Sequence, residues 1–363
     1  MRITSRRTVL SGLAVLGTSA LLLAGCAAAP TDPADPSGDP VSPDFLPCMI
    51  SDTGGFDDKS FNQLGKQGLD EAASALGVTG NAVESQAETD YPSNISGLVD
   101  EGCNIIVTVG FLLAAATQTG AEANTDVNFA IIDDSSIDLP NVKPIVFDTA
   151  QAAFLAGYAA ASYSKTGVVG TFGGIPIPPV TIFMDGFYEG VMHYNEVKGT
   201  SVRVLGWDIN KQDEGAFTGG FEANETAKST AQNLIDQNAD VILPVGGPIF
   251  LSAGEAIRDS GKDIALVGVD ADVFETSPEL SDLFLTSIMK GIAVGVNDVV
   301  AGAAAGNFDN SPYVGTLENG GVGIADFHDF ASKVDAGLQA ELDALKAEII
   351  SGAITLNSPS SPK

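Results

Sequence analysis

The 363-residue sequence predicts an α/β protein of two lobes, each an open, doubly wound, mostly parallel sheet. Three observations carry that prediction. Most strand candidates are unbroken Val/Ile/Leu runs, the pattern of strands buried on both faces rather than one. Helix-length segments alternate with them, which is the βαβ rhythm. Eight such strand units exceed what one compact sheet usually holds, and a break in composition at PNVKPIVFDTA divides them.

In chain order the predicted strands are residues 48–51, 104–110, 128–133, 144–148, 167–173, 202–207, 240–246 and 264–270. Predicted helices fall near 61–76, 92–101, 112–123, 150–163, 180–195, 222–238 and 249–260. Beyond Asp270 come a strand-like DLFLTSIM, a small-residue helix from about Lys290 to Gly306, a Gly/Asn-rich loop and an amphipathic helix from about Ser332 to Ser351. In open α/β sheets, ligands sit beyond the carboxyl ends of strands, so residues just after strands are the first candidates for a site.

Composition excludes several functions. Asp and Glu number 47 against 17 Lys and Arg, a net charge of -30, and the cations are scattered. A surface that tracks phosphates needs clustered cations, so no nucleic-acid partner is expected. Two His and three Cys exclude dense metal sites, and no metal or cofactor is expected. GxSxG and Walker-type GxxxxGK[ST] patterns are absent, so no catalytic apparatus is evident.

The first 25 residues carry Arg2, Arg6 and Arg7, no acid, and an apolar run from Val9 to Ala24. This reads as a signal peptide, too short for a comfortable membrane span. It ends in Leu23-Ala24-Gly25-Cys26, which resembles the bacterial lipobox and implies acylation of Cys26. Ser5-Arg6-Arg7-Thr8-Val9-Leu10 also resembles the twin-arginine export pattern, with Val9 where Phe is usual. Removing this leader deepens the charge to -33. Residues 26–46, with Pro at 30, 33, 36, 40 and 43, read as an extended tether, and NSPSSPK at 357–363 as a disordered tail. A lipid bilayer is the expected partner of Cys26, since each buried CH2 contributes about 0.8 kcal/mol. The working domain is then expected on the outer face of the cell membrane.

In that oxidising setting Cys48 and Cys103 precede strands that would be neighbours. A structural bridge is expected, two free buried thiols being the alternative. A loop of this length is worth roughly 4 kcal/mol in the chain-entropy treatment.

The most distinctive segment is SDTGGFDDKSFNQ, residues 51–63, directly after the first strand. Gly54 and Gly55 suit a tight turn, and Ser60 is placed to cap the next helix. GGFDD has something of the calcium- and ribose-binding strand end of nucleoside hydrolases, but Thr53 and Ser51 stand where those enzymes need acids. The sequence DTGGFDDKSFNQ more strongly resembles the opening motif of the basic membrane protein family, lipid-anchored substrate-binding proteins of ABC importers. The resemblance continues through GFLLAA (110–115), KTGVVGTFGG (165–174), FMDGFYEG (183–190), DVILPVGG (240–247), VGVDAD (267–272) and TSIMKG (286–291).

This resemblance implies a type I periplasmic-binding-protein fold, two lobes joined by three hinge crossings. The first lobe is expected at 47–148 plus about 286–315, the second at 149–270 plus about 318–355, with a hinge region at 271–285. It implies capture of a nucleoside, a purine one by family habit, by a monomer that delivers it to an ABC permease. Carried over by motif, Phe61 and Phe183 would sandwich the base. Asp52 and Asn62 would bond its edge, Asp270 the sugar hydroxyls, and Lys290 the sugar or Asp270, while Gly246 and Gly247 would let backbone approach. Ala115 stands where members commonly carry an Asp. A ligand-sensing receptor is the alternative with the same pocket. Phe187, the aromatic that competes with Phe183 on the same helix face, is assigned to the core, Trp207 to core or pocket rim, Asp57 and Asp58 to a solvated turn, and His193 and His328 to structural or exposed places.

Overall fold

The computed structural model describes residue 42 and residues 44–362; Cys26, the leader and nearly all of the tether lie outside the described residues. Twelve strands are found among them: β1 (Pro47–Ile50), β2 (Asn81–Val83), β3 (Ile105–Val109), β4 (Asn128–Ile132), β5 (Val142–Phe147), β6 (Val168–Gly173), β7 (Arg203–Leu205), β8 (Val241–Val245), β9 (Ala265–Asp270), β10 (Phe284–Lys290), β11 (Tyr313–Gly315) and β12 (Val322–Ile324). They form two six-stranded sheets, ordered β11-β5-β4-β3-β1-β2 and β12-β10-β9-β8-β6-β7. All pairings are parallel except β10 with β12.

The chain passes between sheets three times: after β5, after β10 and between β11 and β12. In each sheet the strand order reverses beside the first strand, between β1 and β3 and between β6 and β8. Those two reversals open crevices at the carboxyl ends of the strands, where loops diverge to opposite faces.

Helices cover the faces: α1 (Phe61–Leu76), α2 (Tyr91–Asp100), α3 (Ala114–Ala123), α4 (Ala150–Tyr163), α5 (Pro178–Lys198), α6 (Glu225–Asp236), α7 (Ile249–Ser260), a short α8 (Val273–Thr276), α9 (Ile292–Ala304) and α10 (Leu338–Ile350). The helix α4 is buried along nearly its whole length because it packs backbone to backbone on α5. A Cβ at Gly157 would lie 2.1 Å from the Phe187 carbonyl, and one at Gly190 2.0 Å from that of Phe154, so only glycine permits the approach. Phe187 is accordingly a fully buried core residue.

Cys48 and Cys103 form a disulfide that ties β1 to the turn before β3, with Cα atoms 5.9 Å apart. No helix among the described residues is long and apolar enough to cross a membrane.

Three expectations need correction. Residues 286–290 do not join the first lobe: β10 lies in register beside β9, with Met289 opposite Asp270, so the expected hinge segment 271–285 is also part of the second lobe. The crossing comes after Lys290, and α9 then packs on α1. Lys290 therefore ends a strand rather than opening a helix. The tail is ordered as far as Pro362 because its serine hydroxyls find carboxylate acceptors: Ser358 Oγ donates to Asp185 Oδ2 at 2.6 Å and Ser361 Oγ to Asp148 Oδ1 at 2.8 Å.

Candidate functional site

The loop after β1 builds one wall of the interlobe cleft. Its turn is organised by Asp58, whose carboxylate accepts the backbone N–H of Ser60 (3.0 Å), Asn62 (2.9 Å) and Gln63 (3.1 Å) at the exposed end of α1. This is the capping role expected of Ser60, moved two residues back. Ser60 Oγ instead reaches the other lobe, donating to the Val269 carbonyl at 2.9 Å and Asp270 Oδ2 at 3.3 Å. Asp58 is therefore buried and lines the cleft, whereas Asp57 is solvated, so the expectation of a solvated turn fails for Asp58 alone.

Asn62 links this turn to the strand end. Its Nδ2 donates to Asp52 Oδ1 at 2.8 Å and Asp58 Oδ2 at 3.1 Å, while its Oδ1 accepts from the Asp52 N–H at 3.2 Å. Asp52 Oδ1 also receives the Gly54 N–H at 2.8 Å. Burial pushes the Asp52 carboxyl up to about 6, partly offset by these two bonds. Opposite it, Gly110 follows β3 at φ 112°, a conformation open only to glycine, and a Cβ there would crowd Asp52 Oδ2 and Phe61 at 3.2 and 3.4 Å.

A buried charge cluster joins the lobes. Lys290, at the end of β10, donates to Asp133 Oδ2 of the first lobe at 2.7 Å and lies 3.5 Å from Asp270 Oδ1 of the second. Burial alone would lower the lysine pKa, but the two carboxylates override it and raise it. Burial pushes Asp270 up to about 6 and raises Asp133 as well, against the pull of Lys290. Asp270 Oδ1 is buried and accepts no hydrogen bond among the described residues, with the Lys290 ammonium 3.5 Å away. Asp133 and Asp270 both hold positive φ, 65° and 66°, strain typical of functional strand ends.

Aromatic rings surround the ammonium. Lys290 Nζ lies 5.3 Å from the Phe61 centroid, 5.0 Å from Phe183 and 5.7 Å from Phe147. Phe61 rides the first turn of α1 in one lobe, and Phe183 the second turn of α5 in the other. The second lobe's remaining wall comes from the loops after β6, β7 and β8. Gly246 has φ 140°, but the direction a Cβ would take there is filled by Phe221 at 2.6 Å; only Gly247 (φ 47°) has open space beside it.

All eight residues singled out for ligand contact, Asp52, Phe61, Asn62, Phe183, Gly246, Gly247, Asp270 and Lys290, line this one cleft. Asp133, Asp58, Phe111 and Phe221 line it too and were missed. Asp133 was discoverable, since it closes the run NFAIID; Phe221 sits in a loop without periodicity and left no signal. Ala115 is exposed on α3, outside the cleft lining. Trp207 is buried in the core, His193 stacks obliquely on Phe154, and His328 bonds Asp272 at 2.8 Å and stacks on Phe274. No group of His, Cys, Asp and Glu among the described residues has the arrangement of a metal site.

The aromatic rings, carboxylates and Lys290 ammonium around this slot can stack on and hydrogen-bond a small polar molecule. Residues 45–359 match the family described as ABC transporter substrate-binding protein PnrA-like. The ABC transporter nucleoside-binding protein BmpA of Lactococcus lactis subsp. cremoris is 28% identical, covering 97% of this chain and 99% of its own. A CD4+ T-cell-stimulating antigen of Listeria monocytogenes is 28% identical over 96% of this chain and 98% of its own. Among solved structures, an ABC transporter solute-binding protein from Aeropyrum pernix K1 superposes with a TM-score of 0.74 at 24% identity, covering 87% of this chain and 94% of its own. The chain is thus an extracytoplasmic substrate-binding protein of an ABC transporter, not an enzyme, and belongs to the PnrA-like Bmp family.

Proposed function

We propose that the chain captures a neutral nucleoside, purine by preference, in the interlobe cleft and presents it to the ABC permease. One observation carries the reading: Phe61 and Phe183, from opposite lobes, border the same slot around Lys290. A base lying between them gains roughly 1 to 3 kcal/mol per stacking ring with little dependence on its identity. Asp52 and Asn62 then meet the base edge, where polar contacts discriminate strongly. Asp270, beside Lys290, accepts the sugar hydroxyls. The relative from Lactococcus lactis is itself described as nucleoside-binding, which supports the same ligand class.

The charge balance argues against nucleotides. Four carboxylates, Asp52, Asp58, Asp133 and Asp270, line the cleft with Lys290 as its one cation among the described residues, in a chain of net charge -30. That field repels phosphate. Acylation of Cys26 would hold this acidic monomer at the membrane surface, for which its charge gives it no affinity.

A thermal-shift scan of nucleosides, nucleobases, sugars and amino acids tests the ligand class, because a ligand that binds only the folded state raises the transition with occupancy. Purine nucleosides are expected to give the largest shift. A shift with sugars or amino acids and none with nucleosides would refute the reading.

A further inference from the structure

Two residues beyond Phe183 on α5, Asp185 is completely buried, yet it does not line the cleft. Its carboxylate gathers two otherwise separate segments onto α5. Oδ1 accepts Trp207 Nε1–H at 3.0 Å and Gln212 Nε2–H at 3.1 Å; Oδ2 accepts Ser358 Oγ–H at 2.6 Å. Burial raises its pKa, and the three bonds oppose that rise.

Each segment it holds leads to the ligand site. The Trp207–Gln212 loop continues to Phe217, which pairs with β6 at Gly173 and meets Trp207 edge-on at 6.0 Å, and then to Phe221 in the cleft wall. The Ser358 segment is a strap. Asn357 donates from N and Nδ2 to Glu189, Ser360 Oγ meets Thr181 Oγ1 at 2.7 Å, and Ser361 reaches Asp148 at the first hinge crossing. Pro359 to Pro362 then line the same cavity as Asp133 and Lys290.

The geometry points to Asp185 as a positioning residue of the ligand site: it fastens the Phe221 loop and the C-terminal strap to the helix that presents Phe183. The strap thereby lines the cavity beside the Asp133–Lys290 pair, so residues 359–362 support the site. This rests on the nucleoside reading only for its ligand readout.

The two carboxylate oxygens separate the two attachments, which makes the inference testable. Asp185→Asn keeps an Oδ1 for Trp207 and Gln212 and presents an Nδ2–H donor that Ser358 Oγ can accept, so it should stay near wild type. Ser358→Ala and a chain ending at Leu356 remove the strap contact, each weakening inosine binding by a few-fold. Asp185→Ala loses both attachments and should weaken it roughly tenfold or more. Trp207 is the sole tryptophan, so its emission reports the Oδ1 bond directly: shifted in Asp185→Ala, unchanged in the other three. Hydrogen exchange on ligand-free protein provides the ligand-independent arm, with faster exchange expected in 206–221 for Asp185→Ala and unchanged rates there for Asp185→Asn.

Wild-type affinity in both Ser358→Ala and the truncated chain would overturn the strap's part. Unchanged exchange in 206–221 together with unchanged emission in Asp185→Ala would overturn the clamp. Should Asp185→Ala not fold, Trp207→Phe removes the same bond and substitutes for it, read by exchange alone. If wild-type protein binds no inosine, the nucleoside reading fails, while the exchange arm still decides the clamp.

Discussion

The two walls of the cleft are built by different means. On the first lobe, the Asp52–Asn62–Asp58 network ties side chains to backbone N–H groups within twelve residues of sequence, so the part of the wall it builds is a local structure, completed by Phe111 and Asp133 from later strand ends. On the second lobe, Phe183, Phe221, Gly247, Asp270 and Lys290 come from five segments spread over a hundred residues, held by sheet register and by Asp185. A local wall is preorganised by its own turn; a dispersed one depends on the whole lobe. On the proposed nucleoside reading, the first would read the base edge and the second would complete the slot around it. Lys290 is where the two meet, since it bonds Asp133 on one lobe and neighbours Asp270 on the other.

Breaking that junction should have the largest effect. Lys290→Met leaves two buried carboxylates without their cation, a loss of about 3 to 5 kcal/mol in urea unfolding, with nucleoside binding abolished. A smaller effect is expected from the rings. Phe61→Ala and Phe183→Ala should each weaken nucleoside binding by roughly 1 to 3 kcal/mol in titration calorimetry, the first with near-normal stability because Phe61 is only half-buried, the second with added destabilisation because Phe183 is buried.

Next in size is a pH effect common to both walls. Asp52 and Asp270 are each pushed up to about 6 in the folded chain, above the usual value near 4. Between about pH 4 and 6 the folded chain binds more protons than the unfolded one, so their contribution to stability falls as pH rises through that window. The melting temperature should rise on acidification from pH 7.5 to 5, by less in Asp52→Asn; an unchanged slope in that variant would contradict the assignment. The smallest effect is expected at Ala115→Asp. Its side chain would be exposed on α3, outside the cleft, and affinity should change less than twofold.

The same contrast explains what was legible in the sequence. The helix α1 begins at Phe61 and ends at Leu76 as its pattern predicts, and the turn before it together with its first residues carries Asp52, Phe61 and Asn62 in one motif, because local structure leaves local signals. The strands β2, β11 and β12 escaped notice: each has three residues and lies at or beside a sheet edge, too short for any period. DLFLTSIM reads correctly as a strand, yet its lobe does not follow, since β10 is assigned by pairing with β9 rather than by its own residues. The tail reads as disordered because NSPSSPK has no apolar face; its order comes from Asp185, Thr181 and Asp148, acceptors and partners more than 170 residues away. Asp58 looks like one of two solvated acids until the helix it caps is in place.

The most direct test of the central claim is titration calorimetry of the purified chain with inosine and with inosine 5′-monophosphate under the same conditions. Saturable one-to-one binding of inosine, with the monophosphate at least a hundredfold weaker, is the predicted result. Equal affinity for the two, or no binding of inosine by a chain that binds a free sugar, would contradict it.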